Sequence, residues 1–523
     1  MEKTFQGKKY LFLVVIIFFI YTLVKVYNAA DWDLWARLAV GKIFFHTGQI
    51  LRHDIFAYTV TKPLWIDHEW GSGVVFYALL KWFGEEGLVF LKFLLLFGIF
   101  YCVYETNQLK SREDINPYRM LYYFAFLMAV INGFSTTLRS QAFTYFFFAL
   151  WIYLLEKTKK GNNKFLWIFP LTMLFWANLH GGFLSGLGLV ALYFLGEFFS
   201  KREALKYLKI FVASAAVTLI NPYGVKYWDF IIDAVSMNRP FVRELDPIDL
   251  FSSLNNFFMF KLFLVLSVIS VIYSLIKRSK GISLTEILVL GFTLWLSLKH
   301  ARHYIFFIIA SASYIYYCLY PALNTLSFNL INRFYSKFPE KVRGIAFNVR
   351  EFIFYGFILL CLITTTAIKP TQVEVNKGMF PERAVKFIEM NGLSGNLIVL
   401  FNCGSYALWK LYPQCLIAVD GRYEEVYPES TISQIARFHY VGREWDELVR
   451  AYHTDIMLVP VDYDVYKYLI QLKEWKIVYK DDIAAVFLPA KTPEKVWKLP
   501  DKKFDPNSEK FHTQKWQVKG RIF

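Results

Sequence analysis

"NAADWDLWARLAVGKIFFHTG", residues 28–48, comes directly after the first long apolar run of the chain. Asp31 and Asp33 flank Trp32 in this stretch, at the point where a membrane helix is expected to end. Asp is a good helix N-cap and Trp favours membrane interfaces, so the stretch can act as an anchor. Two nearby carboxylates can instead bind a divalent cation, or act as a base and a helper with separated pKa values. The rest of the sequence has to decide between these two interpretations.

The composition is that of a membrane protein. Of the 523 residues, 56% are hydrophobic, and these residues gather into long runs, whereas soluble domains are usually about half apolar at most. The net charge of +16 fits lysines and arginines collected in short cytoplasmic loops. The sequence has no Gly-rich phosphate loop, RNP-type motif or zinc-finger spacing, so nucleic acid is not an expected partner.

About eleven apolar runs approach the length needed to cross a bilayer. The first run has the length of a signal peptide, but no clean small-residue cleavage site follows it, and we expect it to be retained as a helix. Residues 69–83 predict an amphipathic helix at the membrane surface. The runs lie near residues 10–28, 86–106, 119–135, 140–156, 164–180, 182–199, 206–221, 257–276, 283–298, 303–320 and 352–369.

Basic residues indicate which side of the membrane each connection occupies. They collect in alternate connections, from Lys3 before the first run to Arg350 before the last. The positive-inside rule makes these connections cytoplasmic. The sequence therefore predicts a multi-pass protein of the cytoplasmic (inner) membrane, with a cytoplasmic N-terminus and an extracytoplasmic C-terminal domain.

The chain divides into three parts. Residues 1–370 are expected to form the transmembrane domain, with a first external loop at 29–70. Residues 374–490 alternate strand-length apolar runs with helical stretches, which is typical of an α/β domain. Residues 491–523 form a charged C-terminal tail. Cys403 and Cys415 lie in the α/β part, and their spacing leaves open whether they pair.

The polar motifs that carry chemistry fall in the connections predicted to be external. Polar groups at membrane depth are costly and usually line a site or a path, so a shared external cavity is the simplest explanation. The candidate residues are Asp31, Asp33, His68, Glu69, Arg139, Asn178 and His180 in "WANLHGG" (176–182), and His300, Arg302 and His303 in "KHARH" (299–303).

Each motif also has a structural interpretation. His68 and Glu69 stand where a helix cap is expected. The glycines of "WANLHGG" allow close helix packing, whereas Asn178 and His180 can hold a hydroxyl or a phosphate. The "KHARH" cations can reach toward lipid headgroups or bind a phosphate, a role for which Arg is well suited.

Four motifs together resemble the GT-C superfamily. They are "DWDLWARLAVGKIFFHTG…HDIFAYT…WIDHEW", "WANLHGG", "HARH" and "NCGSYALWKLYPQCLIAVDGR" (402–422), and they are similar to those of bacterial GT-C-like membrane proteins. The superfamily comprises integral-membrane glycosyltransferases that use polyprenyl-linked sugars, among them protein O-mannosyltransferases and oligosaccharyltransferase catalytic subunits. The last motif departs from the oligosaccharyltransferase pattern because it has no Trp-Trp-Asp, so recognition of a protein sequon does not carry over.

The resemblance implies a polytopic α-helical membrane bundle of the GT-C type with an extracytoplasmic α/β domain. It also implies transfer of a sugar from a polyprenyl-phosphate carrier to a glycan, lipid or protein acceptor. The acid after the first span is the superfamily's catalytic base or metal ligand, which maps to Asp31 or Asp33 and leaves the choice open. A divalent cation, Mg or Mn, is then the expected cofactor, with Asp31 and Asp33 as its candidate ligands.

The remaining candidates receive roles in the same reaction. Arg302, His303, His300 and Arg139 are expected to stabilise the leaving phosphate. Glu69 and His68 are expected to orient the acceptor or to complete a metal site.

Two other functions stay open. A polysaccharide polymerase or ligase would use an oligosaccharide-diphospholipid donor. A transporter or flippase for lipid-linked glycans would favour ionisable residues deep within the spans and internal repeats, neither of which is evident in the sequence.

Overall fold

The computed structural model is mostly helical, with a small C-terminal sheet domain. It describes residues 2–111, 117–237, 243–253, 257–277, 281–320, 372–376, 378–508, 516–518 and 521–522, together with the single positions 356, 360 and 363. The predicted run at 352–369 lies outside these residues, apart from the three single positions.

The helices of the first part follow the predicted apolar runs. Leu34–Thr47 and Trp70–Phe83 belong to the first external loop and its exit, and the second of them matches the predicted surface helix at 69–83. In chain order the helices are α1 Glu2–Val26, α2 Leu34–Thr47, α3 Trp70–Phe83, α4 Glu85–Lys110, α5 Pro117–Val130, α6 Gln141–Lys159, α7 Ile168–Leu179, α8 Leu184–Phe199, α9 Leu205–Val217, α10 Lys226–Ser236, α11 Phe258–Lys277, α12 Leu284–Lys299 and α13 Tyr304–Tyr314.

The described helices differ in whether they are long enough to cross a membrane. Within the described ranges, Glu85–Lys110, Gly181–Phe199 and Phe258–Ile276 are long and apolar enough to cross a membrane. Others are apolar but shorter; α7, for example, has 12 residues. At about 1.5 Å per residue, such a helix falls well short of the roughly 30 Å hydrocarbon core. The predicted count of about eleven spans is therefore not confirmed.

The C-terminal part is the predicted α/β domain. Its five-stranded sheet has the order β2-β1-β3-β5-β4, with β1 parallel to both β2 and β3, and β5 antiparallel to both β3 and β4. Each strand coincides, within a few residues, with an apolar run of the sequence. The strands are β1 Gly395–Val399, β2 Cys415–Ile417, β3 Ile456–Pro460, β4 Trp475–Lys480 and β5 Ala484–Pro489.

Helices cover this sheet, and a short hairpin follows it. Cys403 and Cys415 are both buried and are not joined to each other. The helices are α14 Glu382–Met390, α15 Phe401–Leu411, α16 Tyr423–Val426, α17 Glu429–Tyr440, α18 Glu447–Ala451 and α19 Asp464–Leu469, and the hairpin strands are β6 Gln517–Val518 and β7 Arg521–Ile522.

The loop at 29–70 joins the two parts of the molecule. Ala57 pairs with Ile417, the last residue of β2, through hydrogen bonds that the Tyr58 and Ile417 amides donate at 3.1 and 2.9 Å. Ala29 pairs with both Thr136 and Glu374, so the segment after α1 lies between the start of the C-terminal part and the segment before α6. This pairing brings residues 31–33 beside residues 139–141.

Two glycines set the distance between α2 and α3. A Cβ atom on Gly41 would lie 2.0 Å from the Gly73 carbonyl oxygen, and one on Gly73 would lie 2.7 Å from the Arg37 carbonyl oxygen. Contacts this short leave no room for a side chain, so the two helices meet backbone to backbone. The close packing places Arg37 of α2 beside Glu69 at the start of α3.

Candidate active site

A small cavity opens where the loop at 29–70 meets the segments before α6 and before α13. Its wall is rich in charge, and four of the candidate residues line it: Asp33, Glu69, Arg139 and Arg302. The other lining residues are Leu34, Arg37, Phe76, Leu138, Ser140 and Gln141.

Asp31 is fully buried, and both of its oxygens are used. Its Oδ2 accepts a hydrogen bond from Nε of Arg139 at 2.7 Å, and its Oδ1 accepts from the backbone N–H of Asp33 at 3.0 Å. Asp31 therefore fixes the loop and the guanidinium of Arg139.

Asp33 stands two residues further on, and the surroundings of its side chain differ from those of Asp31. It occupies the N-cap position of α2, but its side chain makes no capping hydrogen bond. Within the described residues its carboxylate has no hydrogen bond or ion pair, and it faces the cavity. Burial, with the adjacent Asp31 charge, raises the pKa of Asp33 to about 7. A carboxylate with a pKa near neutral can accept and release a proton at physiological pH.

Arg139 and Arg302 form the cationic side of the cavity. Arg139 donates through Nη1 to Oε1 of Glu244 at 2.7 Å. Arg302 donates through Nε to Oε1 of Gln141 at 3.2 Å, and the same atom lies 3.9 Å from Oε2 of Glu244. The two Nη groups of Arg302 make no hydrogen bond to the described residues, and its side chain is 33% exposed. These free donors suit an anionic ligand.

Glu69 borders the cavity from α3 and is held by a buried charge cluster. Arg37 Nε lies 3.5 Å from Oε2 of Glu69 and pairs at the same time with Asp67 and with Glu425 of the C-terminal domain. Burial opposes ionisation of Glu69, but Arg37 and His68 outweigh it and lower its pKa. Glu69 is therefore a fixed negative charge at the cavity wall.

His68 belongs to the same cluster. Its Nδ1 lies 3.0 Å from Oε1 of Glu425, and its Nε2 lies 3.6 Å from Glu69. Burial opposes its protonation, but Glu425 and Glu69 raise the pKa of His68 to about 9. No side chain caps α3; Oδ1 of Asp67 accepts from the amide of Glu69, the N-cap residue, at 3.0 Å.

His180 lies on the other side of Glu69. Its Nδ1 accepts from the Gly182 amide at 2.9 Å and lies 2.8 Å from the Thr144 hydroxyl. Burial lowers the pKa of His180 to about 3, so the ring is neutral. Because Nδ1 accepts, the proton is assigned to Nε2, which points to Glu69 at 3.4 Å.

Asn178, His300 and His303 lie outside the cavity wall. Asn178 accepts from Trp70 Nε1 at 3.0 Å and donates to the Leu174 and Ile220 carbonyls. His300 contacts the Leu245 carbonyl through Nδ1 at 2.7 Å, which ties "KHARH" to the turn that carries Glu244. His303 packs its ring against His300 and Phe306. Of that cationic cluster, Arg302 is the residue that reaches the cavity.

The residues around Asp31 and Asp33 do not fit a divalent cation. Among the described residues, no group of three or more His, Cys, Asp or Glu side chains has the arrangement of a metal site. Oxygen ligands must point to one centre at about 2.0–2.6 Å, but both oxygens of Asp31 already accept hydrogen bonds, one of them from a guanidinium. We therefore derive no step through a metal ion.

The C-terminal domain reaches the cavity through its "AVDGR" segment. A Cβ atom on Gly421 would lie 3.2 Å from Oδ1 of Asp33. The next residue, Arg422, is buried and donates to Asp420 and to Asp54 of the first loop. The rings of Phe56 and Trp65 cover its guanidinium. This ion triad fixes the C-terminal domain over Asp33.

The sequence reasoning missed three residues of the site: Arg37, Gln141 and Glu425. Arg37 stood in the opening stretch, one helical turn after Asp33, which is the available local signal. Glu425 and Gln141 carried no signal of their own because their contacts are made with residues far away in the chain.

Comparison with known proteins supports the fold. No protein-family model and no curated protein matches the chain in sequence. Among solved structures, the oligosaccharyltransferase AglB of Archaeoglobus fulgidus, in complex with an inhibitory peptide and a dolichol-phosphate, is similar at 10% identity with a TM-score of 0.54. The oligosaccharyltransferase of the same organism tethered to an acceptor peptide containing the NVT sequon is similar at 11% identity with a TM-score of 0.56. Each match covers 87% of this chain and 70% of the other. The chain therefore has the fold of these solved oligosaccharyltransferase structures, in agreement with the fold that the sequence resemblance implied.

Proposed function

We propose that this chain is a membrane glycosyltransferase that moves a sugar or glycan from a polyprenyl-phosphate carrier to an acceptor. One observation carries the proposal: a single cavity brings together the unpartnered carboxylate of Asp33 and the free guanidinium donors of Arg302. Glycosyl transfer from a phospholipid needs a base for the acceptor and a cation for the departing phosphate, and the cavity supplies both.

In the proposed reaction, Asp33 takes the proton of the acceptor hydroxyl. The freed oxygen forms a bond to the anomeric carbon, the bond from that carbon to the phosphate oxygen breaks, and the electron pair leaves with the polyprenyl phosphate. Arg302, with Arg139 behind it, stabilises the charge that develops on the phosphate. Glu69, held by Arg37 and His180, orients the acceptor beside Asp33.

Asp33 rather than Asp31 is the proposed base. Asp31 is fully buried, is bonded to Arg139 and does not line the cavity. Asp33 faces the cavity with a pKa of about 7, which combines an accessible proton acceptor with adequate basicity. In this proposal Asp31 is a positioning residue.

The solved neighbours add support for the ligand classes. One is in complex with a dolichol-phosphate and a peptide, and the other is tethered to an acceptor peptide. By analogy, a polyprenyl-linked donor and a glycan, lipid or protein acceptor are proposed here. Sequon recognition is not part of the proposal because Asn402-Cys403-Gly404-Ser405-Tyr406 contains no Trp-Trp-Asp.

The proposed location is the outer face of the cytoplasmic membrane. The basic connections support a cytoplasmic N-terminus. The first external loop (29–70), which contacts the cavity and the sheet domain, then lies outside. The proposed division remains a transmembrane domain at 1–370, an extracytoplasmic domain at 374–490 and a charged tail at 491–523.

The test is donor cleavage in nanodiscs containing the full-length protein. Single-sugar polyprenyl phosphates and an oligosaccharide-diphosphate polyprenyl are offered in separate reactions with bacterial envelope glycans, lipids and peptides as acceptors. Mass spectrometry then measures the released polyprenyl phosphate or diphosphate. Release that is lost in Asp33→Asn but kept in Asp229→Asn, an exposed external acid, supports the proposal.

The choice of donor separates the alternatives. Turnover of the diphosphate donor alone would identify a polymerase or ligase. Movement of an intact fluorescent glycolipid across vesicle membranes, with no cleavage of any donor, would identify a flippase and contradict the transferase.

A further inference from the structure

The carboxylates beside the cavity are gathered around a guanidinium. Arg139 places Nε 2.7 Å from Oδ2 of Asp31 and Nη1 2.7 Å from Oε1 of Glu244. Asp33 lines the same cavity wall as Arg139. Two carboxylates thus bind one cation that belongs to the chain itself, and a third lies on the same wall.

This arrangement excludes a second cation at the same point. A divalent ion needs carboxylate oxygens at about 2.0–2.6 Å, and Arg139 holds one oxygen each of Asp31 and Glu244. Moving the guanidinium aside would leave the fully buried carboxylate of Asp31 without its cation, which is costly. Arg302 adds a further positive charge 3.9 Å from Glu244.

We infer that the guanidinium of Arg139 takes the place of a divalent cation between Asp31 and Glu244, so that the carboxylates on this side of the cavity need no bound metal ion. The inference concerns which cation balances the carboxylates, and it stands whether or not the chain transfers sugars.

Manganese binding to the purified full-length protein tests it. The protein is stripped with EDTA and titrated with Mn²⁺, and the electron paramagnetic resonance signal of free Mn²⁺ gives the bound fraction. The wild type is expected to show no saturable site that depends on Asp31, and the same melting temperature in EDTA and in Mn²⁺. Arg139→Ala frees the carboxylates and removes a charge about 3 Å from them, so its Mn²⁺ affinity is expected to rise roughly tenfold or more.

Two further variants locate the effect. Adding Asp31→Asn to Arg139→Ala should abolish the gained Mn²⁺ binding. Arg302→Ala removes an arginine from the same cavity but leaves the pair of Asp31 and Arg139 intact, so it should gain none. If Arg139→Ala does not fold, Arg139→Met is used in its place, because it keeps most of the side-chain volume.

Two outcomes would overturn the inference. The first is saturable Mn²⁺ binding by the wild type that disappears in Asp31→Asn. The second is a folded Arg139 variant that gains no Mn²⁺ binding. Because both measurements follow binding and melting, a failed search for a glycosyl donor leaves their interpretation unchanged.

Discussion

Two arginine–carboxylate clusters lie on either side of Asp33, and they differ in how far their hydrogen bonds are satisfied. In the ion triad, Arg422 binds both oxygens of Asp420 at 2.7 and 2.9 Å and Asp54 at 2.5 Å, and all three side chains are at most 1% exposed. In the cavity, Arg302 keeps free donors.

The cluster with satisfied hydrogen bonds fits a structural role, whereas the cluster in the cavity fits a chemical role. A buried ion pair with every donor satisfied fixes geometry but has nothing left for a ligand. A carboxylate without a partner and an arginine with spare donors are costly to keep in a folded protein, and such groups are typical of functional sites. Arginine and aspartate therefore have a structural role in the Arg422 triad and a chemical role in the cavity.

The largest expected effect comes from Asp33. Asp33→Asn removes the proposed base and should lower the turnover number by roughly 10²–10⁴-fold. Donor cleavage by purified protein measures this. Asp229→Asn, which changes an exposed acid on α10, should keep wild-type turnover.

The same variant, Asp33→Asn, is expected to lose activity but to gain stability at pH 8. Because the pKa of Asp33 is raised to about 7, the folded state holds its proton where the unfolded chain has lost it. Stability is therefore lost as pH rises from about 4 through 7. Asp33→Asn should melt a few degrees higher than wild type at pH 8 and no higher at pH 4. A lower melting temperature at pH 8 would contradict the assignment.

Breaking the ion triad should have a large effect on folding. Arg422→Met leaves Asp54 and Asp420 buried without their cation, and removal of one partner from a buried pair costs about 3–5 kcal/mol. Thermal unfolding in detergent should show a clear drop in melting temperature. Arg437→Met, at a partly exposed pair with Glu447 in the same domain, should leave the melting temperature unchanged.

The opposite pattern is expected for Arg302. Arg302→Ala removes the free phosphate donors and should lower the turnover number by roughly 10²–10³-fold. Its melting temperature should stay close to that of wild type, because the side chain is partly exposed. Arg52→Ala, at an exposed arginine of the loop at 29–70, serves as the control. Full activity in Arg302→Ala would remove the phosphate-binding role.

Local patterns predicted the elements well because they depend on nearby residues. Strand-length apolar runs alternating with helical stretches predicted the α/β character of residues 374–490, and the amphipathic pattern at 69–83 predicted α3. The number of spans was harder to predict from the sequence, because apolar composition does not determine where a helix ends. The run at 164–180, for instance, forms the shorter helix Ile168–Leu179.

The site was predictable only in part because its contacts are distant in sequence. The sequence offered Asp31 and Asp33 as equivalent acids. The contact between Asp31 and Arg139, 108 residues apart, is what separates them. Asn178 and His300 were predicted as site residues, but their side chains contact backbone carbonyl groups instead of lining the cavity. A sequence does not reveal such contacts.

The smallest expected effect probes how the C-terminal domain meets the cavity. Gly421→Ala places a methyl group 3.2 Å from Oδ1 of Asp33 and 3.3 Å from Oγ of Ser405. This contact is tight enough to shift the carboxylate by a few tenths of an ångström, and small misplacements of a base reduce rate without unfolding the protein. We expect the turnover number to fall about tenfold at most. Gly442→Ala has a similar 3.3 Å contact, with Arg437 in the same domain, and should keep wild-type turnover. Equal activity in both variants would mean that the "AVDGR" segment covers Asp33 without setting its position.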